Sequence, residues 1–115
     1  MVKMWSIYWT NLDPIIGSEQ AGTRPSLVIS NDTVNEVMPV VTVLPLSSIK
    51  KSSRIYPTEV FIPQTQSSLP KDSVAMIHQI KTIAKVRIGS KCGDINDESI
   101  RANIKYVIKQ YFELS

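Results

Sequence analysis

The chain has 115 residues, 43% of them hydrophobic, with a formal net charge of +3, one histidine and one cysteine. That length suits one domain over 1–115: a chain of this size buries roughly 65% of its unfolded surface, enough for one core but not for a separate cofactor domain. A lone cysteine excludes an internal disulfide, no window reaches the roughly 20 apolar residues of a membrane span, and the polar N-terminus lacks a signal-peptide run, so a cytoplasmic protein is expected.

Short β-branched or alternating runs, bounded by Pro, Gly, Asn, Asp or Ser, mark the predicted strands. The first covers Ile7 to Leu12, where Trp5 and Trp9 alternate with Ile7, a pattern that points to core or interface rather than to base stacking. A polar loop follows, Gly17-Ser18-Glu19-Gln20-Ala21-Gly22-Thr23-Arg24-Pro25. Its glycines permit positive φ at little steric cost, and Pro25 forces Arg24 into an extended conformation, so one guanidinium is fixed where the loop enters a strand, Ser26 to Ser30. A third strand is predicted at Val40 to Leu46, followed by Ser47 and a basic loop with Lys50, Lys51 and Arg54. Glu59 to Ile62 and Ser73 to Gln79 complete the set. In the last of these His78 alternates with Val74 and Met76 and is expected to be partly buried or to face a second copy of the chain.

Most intervals are too short for crossover helices, which predicts an antiparallel meander closing into a small barrel. The C-terminal segment differs: Ile100, Ile104, Val107, Ile108, Tyr111 and Phe112 share one helical face. Asn96 is the expected N-cap, with Asp97 and Glu98 in the first turn and Lys109 near the end, the charge order that the helix dipole favours. The expected class is therefore mostly β with α, an α+β fold.

Four blocks in order carry a family resemblance: Ile7-Tyr8-Trp9-Thr10-Asn11-Leu12-Asp13-Pro14, the Gly17 to Asp32 loop and strand, Val43-Leu44-Pro45-Leu46-Ser47-Ser48, and Asp72 to Ile83. Together they resemble the MazF/PemK toxins, endoribonucleases of bacterial toxin–antitoxin pairs. Trp5-Ser6 stands where that family usually has Gly-Asp, and Ser47 where it usually has Thr, which keeps the hydroxyl. The resemblance implies an SH3-like barrel with a C-terminal helix, related also to CcdB, and a symmetric homodimer. It further implies metal-independent cleavage of single-stranded mRNA and a cognate MazE-like antitoxin, whose acidic tail would compete with RNA for the same charges.

The residues allow the same chemistry. The sequence has no Cys/His cluster, no carboxylate set suited to two Mg²⁺ ions, no Walker loop and no Gly-x-Ser-x-Gly elbow, so no cofactor or metal is expected. The most economical hydrolysis is then one in which the substrate brings its own nucleophile, as RNA does through the 2′-hydroxyl. Attack on the adjacent phosphorus gives a 2′,3′-cyclic phosphate and a 5′-hydroxyl, and the protein must only align, stabilise charge and move protons.

Arg24 is the first catalytic candidate, a planar fork suited to two phosphate oxygens; otherwise it is a surface arginine paired with Glu19. Ser47 is assigned positioning, because a serine hydroxyl is too weak a base to act unaided. Glu19 either takes the 2′-proton or orients Arg24. Ser18, Gln20 and Asn31 are short polar groups of the kind that read splayed bases, Gln79 occupies the family's matching late-strand position, and Lys50 with its neighbours offers backbone contacts. The alternative function is a non-catalytic, CcdB-like toxin that binds a protein target such as DNA gyrase; Arg24 and Ser47 would then be dispensable. A third reading is an inert barrel used only for protein interactions.

Overall fold

The computed structural model describes residues 1–50 and 53–115; Lys51, part of the predicted basic loop, lies outside the described residues. In chain order the elements are β1 (Ser6–Asn11), β2 (Thr23–Val28), α1 (Asp32–Val37), β3 (Val40–Ser48), β4 (Glu59–Ile62), β5 (Ser73–Met76), β6 (Lys81–Ala84), β7 (Ile88–Asp94) and α2 (Glu98–Tyr111). Single 3₁₀ turns occupy Gln64–Gln66, Ile77–Gln79 and Lys85–Arg87. Among the described residues no helix is long and apolar enough to cross a membrane.

The sheet is antiparallel, with order β4-β5-β3-β2-β1-β7 and β6 paired to β3. β3 is its hinge element. One edge pairs with β2 over Val43 to Pro45; the other pairs first with β6, ending at Val43, and then with β5, starting at Leu46. The gap between those two partners contains Pro45, which has no N–H to offer a ladder.

The expected closed barrel is not formed, because β4 and β7 remain edges of the ladder. Among the described residues a single backbone bond bridges the seam, from Asp94 N–H to Ser67 C=O at 3.2 Å. Gly93 makes that approach possible: a Cβ there would lie 2.2 Å from the Ser67 oxygen, closer than any side chain tolerates.

Strand alternation divides the core between the two faces of the sheet. Ile7, Leu27 and Leu44 enter the larger cluster with Ile62, Ile77 and Ile104, while their neighbours Tyr8, Val28 and Val43 enter a smaller cluster with Val41 and Ile83. Each fully buried aliphatic side chain contributes about 1.5–3 kcal/mol of transfer free energy. α2 closes the larger cluster through Ile104, with Ile100, Val107 and Ile108 packed beside it. Trp5, buried as expected, lies beneath two cations of this helix, Arg101 at 5.3 Å and Lys105 at 5.8 Å from its ring.

Several expectations need correction. The α2 cap is Asp97, whose carboxylate accepts from Ile100 N–H at 2.9 Å; Asn96 instead donates to Asp94. Tyr111 and Phe112 stay exposed, since the last helical turn runs beyond the core. β3 continues through Ser48, which places Ser47 inside the strand rather than after it. The strand expected up to Gln79 stops at Met76, where the chain tightens into the 3₁₀ turn; alternation is lost, and His78 is exposed with its Nδ1 2.9 Å from Thr58 Oγ1.

Candidate functional site

The loop from Leu12 to Gly22 is tied at its base by backbone and carboxylate bonds. Leu12 N–H donates to Gly22 C=O at 3.0 Å, and Gly22 N–H to Asp13 Oδ1 at 2.9 Å. From across the sheet, the Arg87 guanidinium donates to the carbonyls of Asn11 and Asp13. Gly17 and Gly22 hold φ of +59° and +74°, the left-handed backbone that glycine adopts without strain.

Arg24 leaves this loop at the second residue of β2, half-buried. Its Nε donates to Ala21 C=O at 3.3 Å and its Nη1 to Leu46 C=O at 3.5 Å, so the guanidinium is hooked to both the loop and β3. No ion pair among the described residues involves it. The surface pairing with Glu19 is therefore not what forms.

Arg24 and Ser47 line one cleft of about 330 Å³, together with Lys71 and Ser73 on its polar side and Trp9 and Leu69 on its apolar side. Arg24 comes from β2 and Ser47 from β3, and the antiparallel pairing of those strands brings them together. A second hollow of about 170 Å³ is lined by Pro45, whose neighbour in β3, Leu46, lines the first. Glu19, Gln20, Gln79, His78 and Lys81 line this second hollow. Within it Glu19 Oε1 accepts from Ile16 N–H at 2.6 Å and Oε2 lies 3.8 Å from Lys81 Nζ, which holds the carboxylate toward the hollow's rim.

Ser18 contributes backbone rather than side chain: its carbonyl accepts from Gln79 Nε2 at 3.4 Å, lacing the loop to the 3₁₀ turn. Two expected contacts are not brought to either cleft. Asn31 caps α1, its Oδ1 accepting from Val34 N–H at 2.9 Å, so the amide oxygen is committed to the backbone beyond the far end of β2. Lys50 is exposed at a separate hollow with Ile49, Phe61 and Asp72.

Trp9 and Lys71 are cleft residues that the sequence pattern does not single out. Trp9 shares the pleat of Ile7, which reads as core or interface, and the structure leaves it 43% exposed at the cleft wall. Lys71 stands just before β5, and nothing in its spacing marks it.

Among the ionisable groups two shifts stand out, both away from the clefts. Burial pushes the Cys92 thiol up. The Asp97 carboxyl is held down, chiefly by the Ser99 hydroxyl and then by the Ile100 N–H.

Comparison with known proteins agrees with this architecture. Residues 3–112 match the family model described as PemK-like, MazF-like toxin of type II toxin–antitoxin system. Endoribonuclease EndoA of Bacillus subtilis is 37% identical over 98 residues, 85% of this chain and 84% of that protein. Among solved structures, MazF from Deinococcus radiodurans superposes with a TM-score of 0.81 at 23% identity, covering 98% of this chain and 97% of its own. Mycobacterium tuberculosis toxin MazF-mt6 gives 0.77 at 24%, covering 96% and 98%. A mycobacterial endoribonuclease, solved in complex with its cognate antitoxin, gives 0.79 at 19%, covering 100% and 98%. A family match spanning almost the whole sequence, with a relative above a third identical, assigns this chain to the PemK-like, MazF-like toxins of type II toxin–antitoxin systems.

Proposed function

We propose that the protein is a sequence-selective, metal-independent endoribonuclease toxin that cuts single-stranded mRNA and arrests translation and growth until an antitoxin neutralises it. The observation that carries this reading is the convergence of Arg24 and Ser47, from paired strands, on one cleft. A guanidinium hooked to Ala21 and Leu46 carbonyls is preorganised, so it stabilises charge on the phosphorane without reorganising during the reaction. Its planar donors suit two non-bridging oxygens at once.

The Ser47 hydroxyl adds one hydrogen bond to the same phosphate. Glu19, across the Pro45–Leu46 wall, takes the 2′-proton when substrate spans both hollows, and Gln20 and Gln79 meet base edges there. The 2′-oxygen attacks phosphorus in line as its proton passes to Glu19, the bond from phosphorus to the 5′-oxygen breaks, that oxygen takes a proton from water, and a 2′,3′-cyclic phosphate remains.

The family membership and the antitoxin complexes solved for similar folds support an antitoxin partner in the cytoplasm; an acidic, partly disordered tail on it would compete with RNA for the positive charge of these clefts. The active form is a homodimer. The test is incubation of a long mixed-sequence single-stranded RNA with purified protein in EDTA, with the product ends identified chemically. Discrete cuts bearing 2′,3′-cyclic phosphate are expected from wild type and absent from Arg24→Ala. A folded wild-type protein that cuts nothing overturns the reading.

A further inference from the structure

We infer that Trp9 is the stacking platform for an RNA base beside the cleaved phosphate; the inference rests on the nuclease reading above. Alternation in β1 sends Tyr8 and Thr10 into buried positions on one side of the sheet and turns Trp9 to the other, opposite Pro25 of β2. There Ile7 is fully buried in the larger cluster while Trp9 remains 43% exposed. The core therefore ends between these two residues, and the indole forms the wall of the cleft that holds Arg24. Tryptophan usually covers its ring when folding allows it, so a half-open indole in a cleft marks a surface with a partner.

The chemistry of that cleft divides as a nucleotide does. Trp9, Pro25 and Leu69 present apolar surface, while Arg24, Ser47 and Lys71 present cations and a hydroxyl. A base has a flat π-face that needs no hydrogen-bond code, and its phosphates need positive charge. With Arg24 on the scissile phosphate, Lys71 receives the neighbouring one. β7 passes so close to the Trp9 backbone that a Cβ on Gly89 would lie 3.0 Å from the Trp9 carbonyl oxygen, so the strand that carries the indole is closely backed. This part of the cleft thus supplies sequence-tolerant grip, in contrast to the amide-lined second hollow.

The experiment compares wild type, Trp9→Phe and Trp9→Leu on an RNA carrying the mapped cleavage word, with unfolding curves to show that each variant folds. Stacking predicts a roughly 5- to 150-fold rise in KM for Trp9→Leu, kcat retained, and rescue by Trp9→Phe, which keeps a ring of lesser area. Indole emission of wild type should also change when the same oligonucleotide binds with a 2′-deoxy sugar at the cut, and that change should vanish in Trp9→Phe. Equal KM for all three proteins overturns the stacking assignment and leaves the nuclease reading standing. Equal losses in the Phe and Leu variants overturn it in favour of a packing role. Emission that depends on protein concentration without RNA, and ignores added RNA, would show the indole buried between two copies. Absence of any cutting by wild type removes the nuclease reading and this inference with it.

Discussion

The Arg24 guanidinium donates to the backbone carbonyl of Leu46, 22 positions along the chain and 3.5 Å away. Ser47, the next residue, is thereby tied to the arginine through one carbonyl. Loss of the arginine should remove charge stabilisation while leaving the core untouched. Arg24→Ala is expected to lower kcat by roughly 10²- to 10³-fold with an unchanged urea midpoint. Arg24→Lys should rescue poorly, because a point charge cannot hold both the carbonyl hook and two phosphate oxygens. Rapid cleavage by the lysine variant would overturn the bidentate role.

Ser47→Ala should cost about fivefold in kcat, the worth of one neutral hydrogen bond, and Ser47→Thr should retain activity. Single-turnover rates at saturating RNA separate this from a binding defect.

His78→Ala should leave kcat at the wild-type value. The ring is exposed and bonded to Thr58, it lines the second hollow and not the Arg24 cleft, and the mechanism assigns it no proton. Abolished cleavage in a folded variant would make it the missing acid or base.

Gly93→Ala is expected to destabilise the protein by about 1–3 kcal/mol, the usual cost of forcing volume into a filled site. The added carbon would meet the Ser67 oxygen at 2.2 Å, and that oxygen is backbone, so it moves only with its segment. Denaturant midpoints of wild type and variant decide the matter.

Asp97 gives a pH signature. The Ser99 hydroxyl and the Ile100 N–H hold its carboxyl below the ordinary aspartate value, so its contribution to stability is present above that ordinary value and is lost as pH falls through the lowered one. Asp97→Asn keeps a capping oxygen but no titrating charge. Its urea midpoint should fall less steeply than that of wild type as pH drops below about 4.

Legibility followed the strength of local signals. β4 was readable to its ends because Glu59–Ile62 alternates between bounded turns. β7 was not, because Gly89, Ser90, Lys91 and Gly93 give no alternation, and pairing with β1 alone makes it a strand, with two irregularities in its register. α1 is six residues set by the Asn31 cap, too short for periodicity to show. Arg24 could be placed from its glycines and proline, since backbone restriction is local. Trp9 could not: alternation tells which face a residue takes, but not where along that face the core runs out.

A sheet joined across its seam, among the described residues, by the Asp94–Ser67 backbone bond has a parting line. Separating it there would leave every strand pair intact but draw Ile62 of β4 away from Ile7 and Ile104 in the larger core cluster, whereas opening between β2 and β3 would tear the ladder on which the site depends. The spacing of Arg24 and Ser47 does not depend on that seam: it is set by the β2–β3 ladder and by the Arg24 bond to the Leu46 carbonyl.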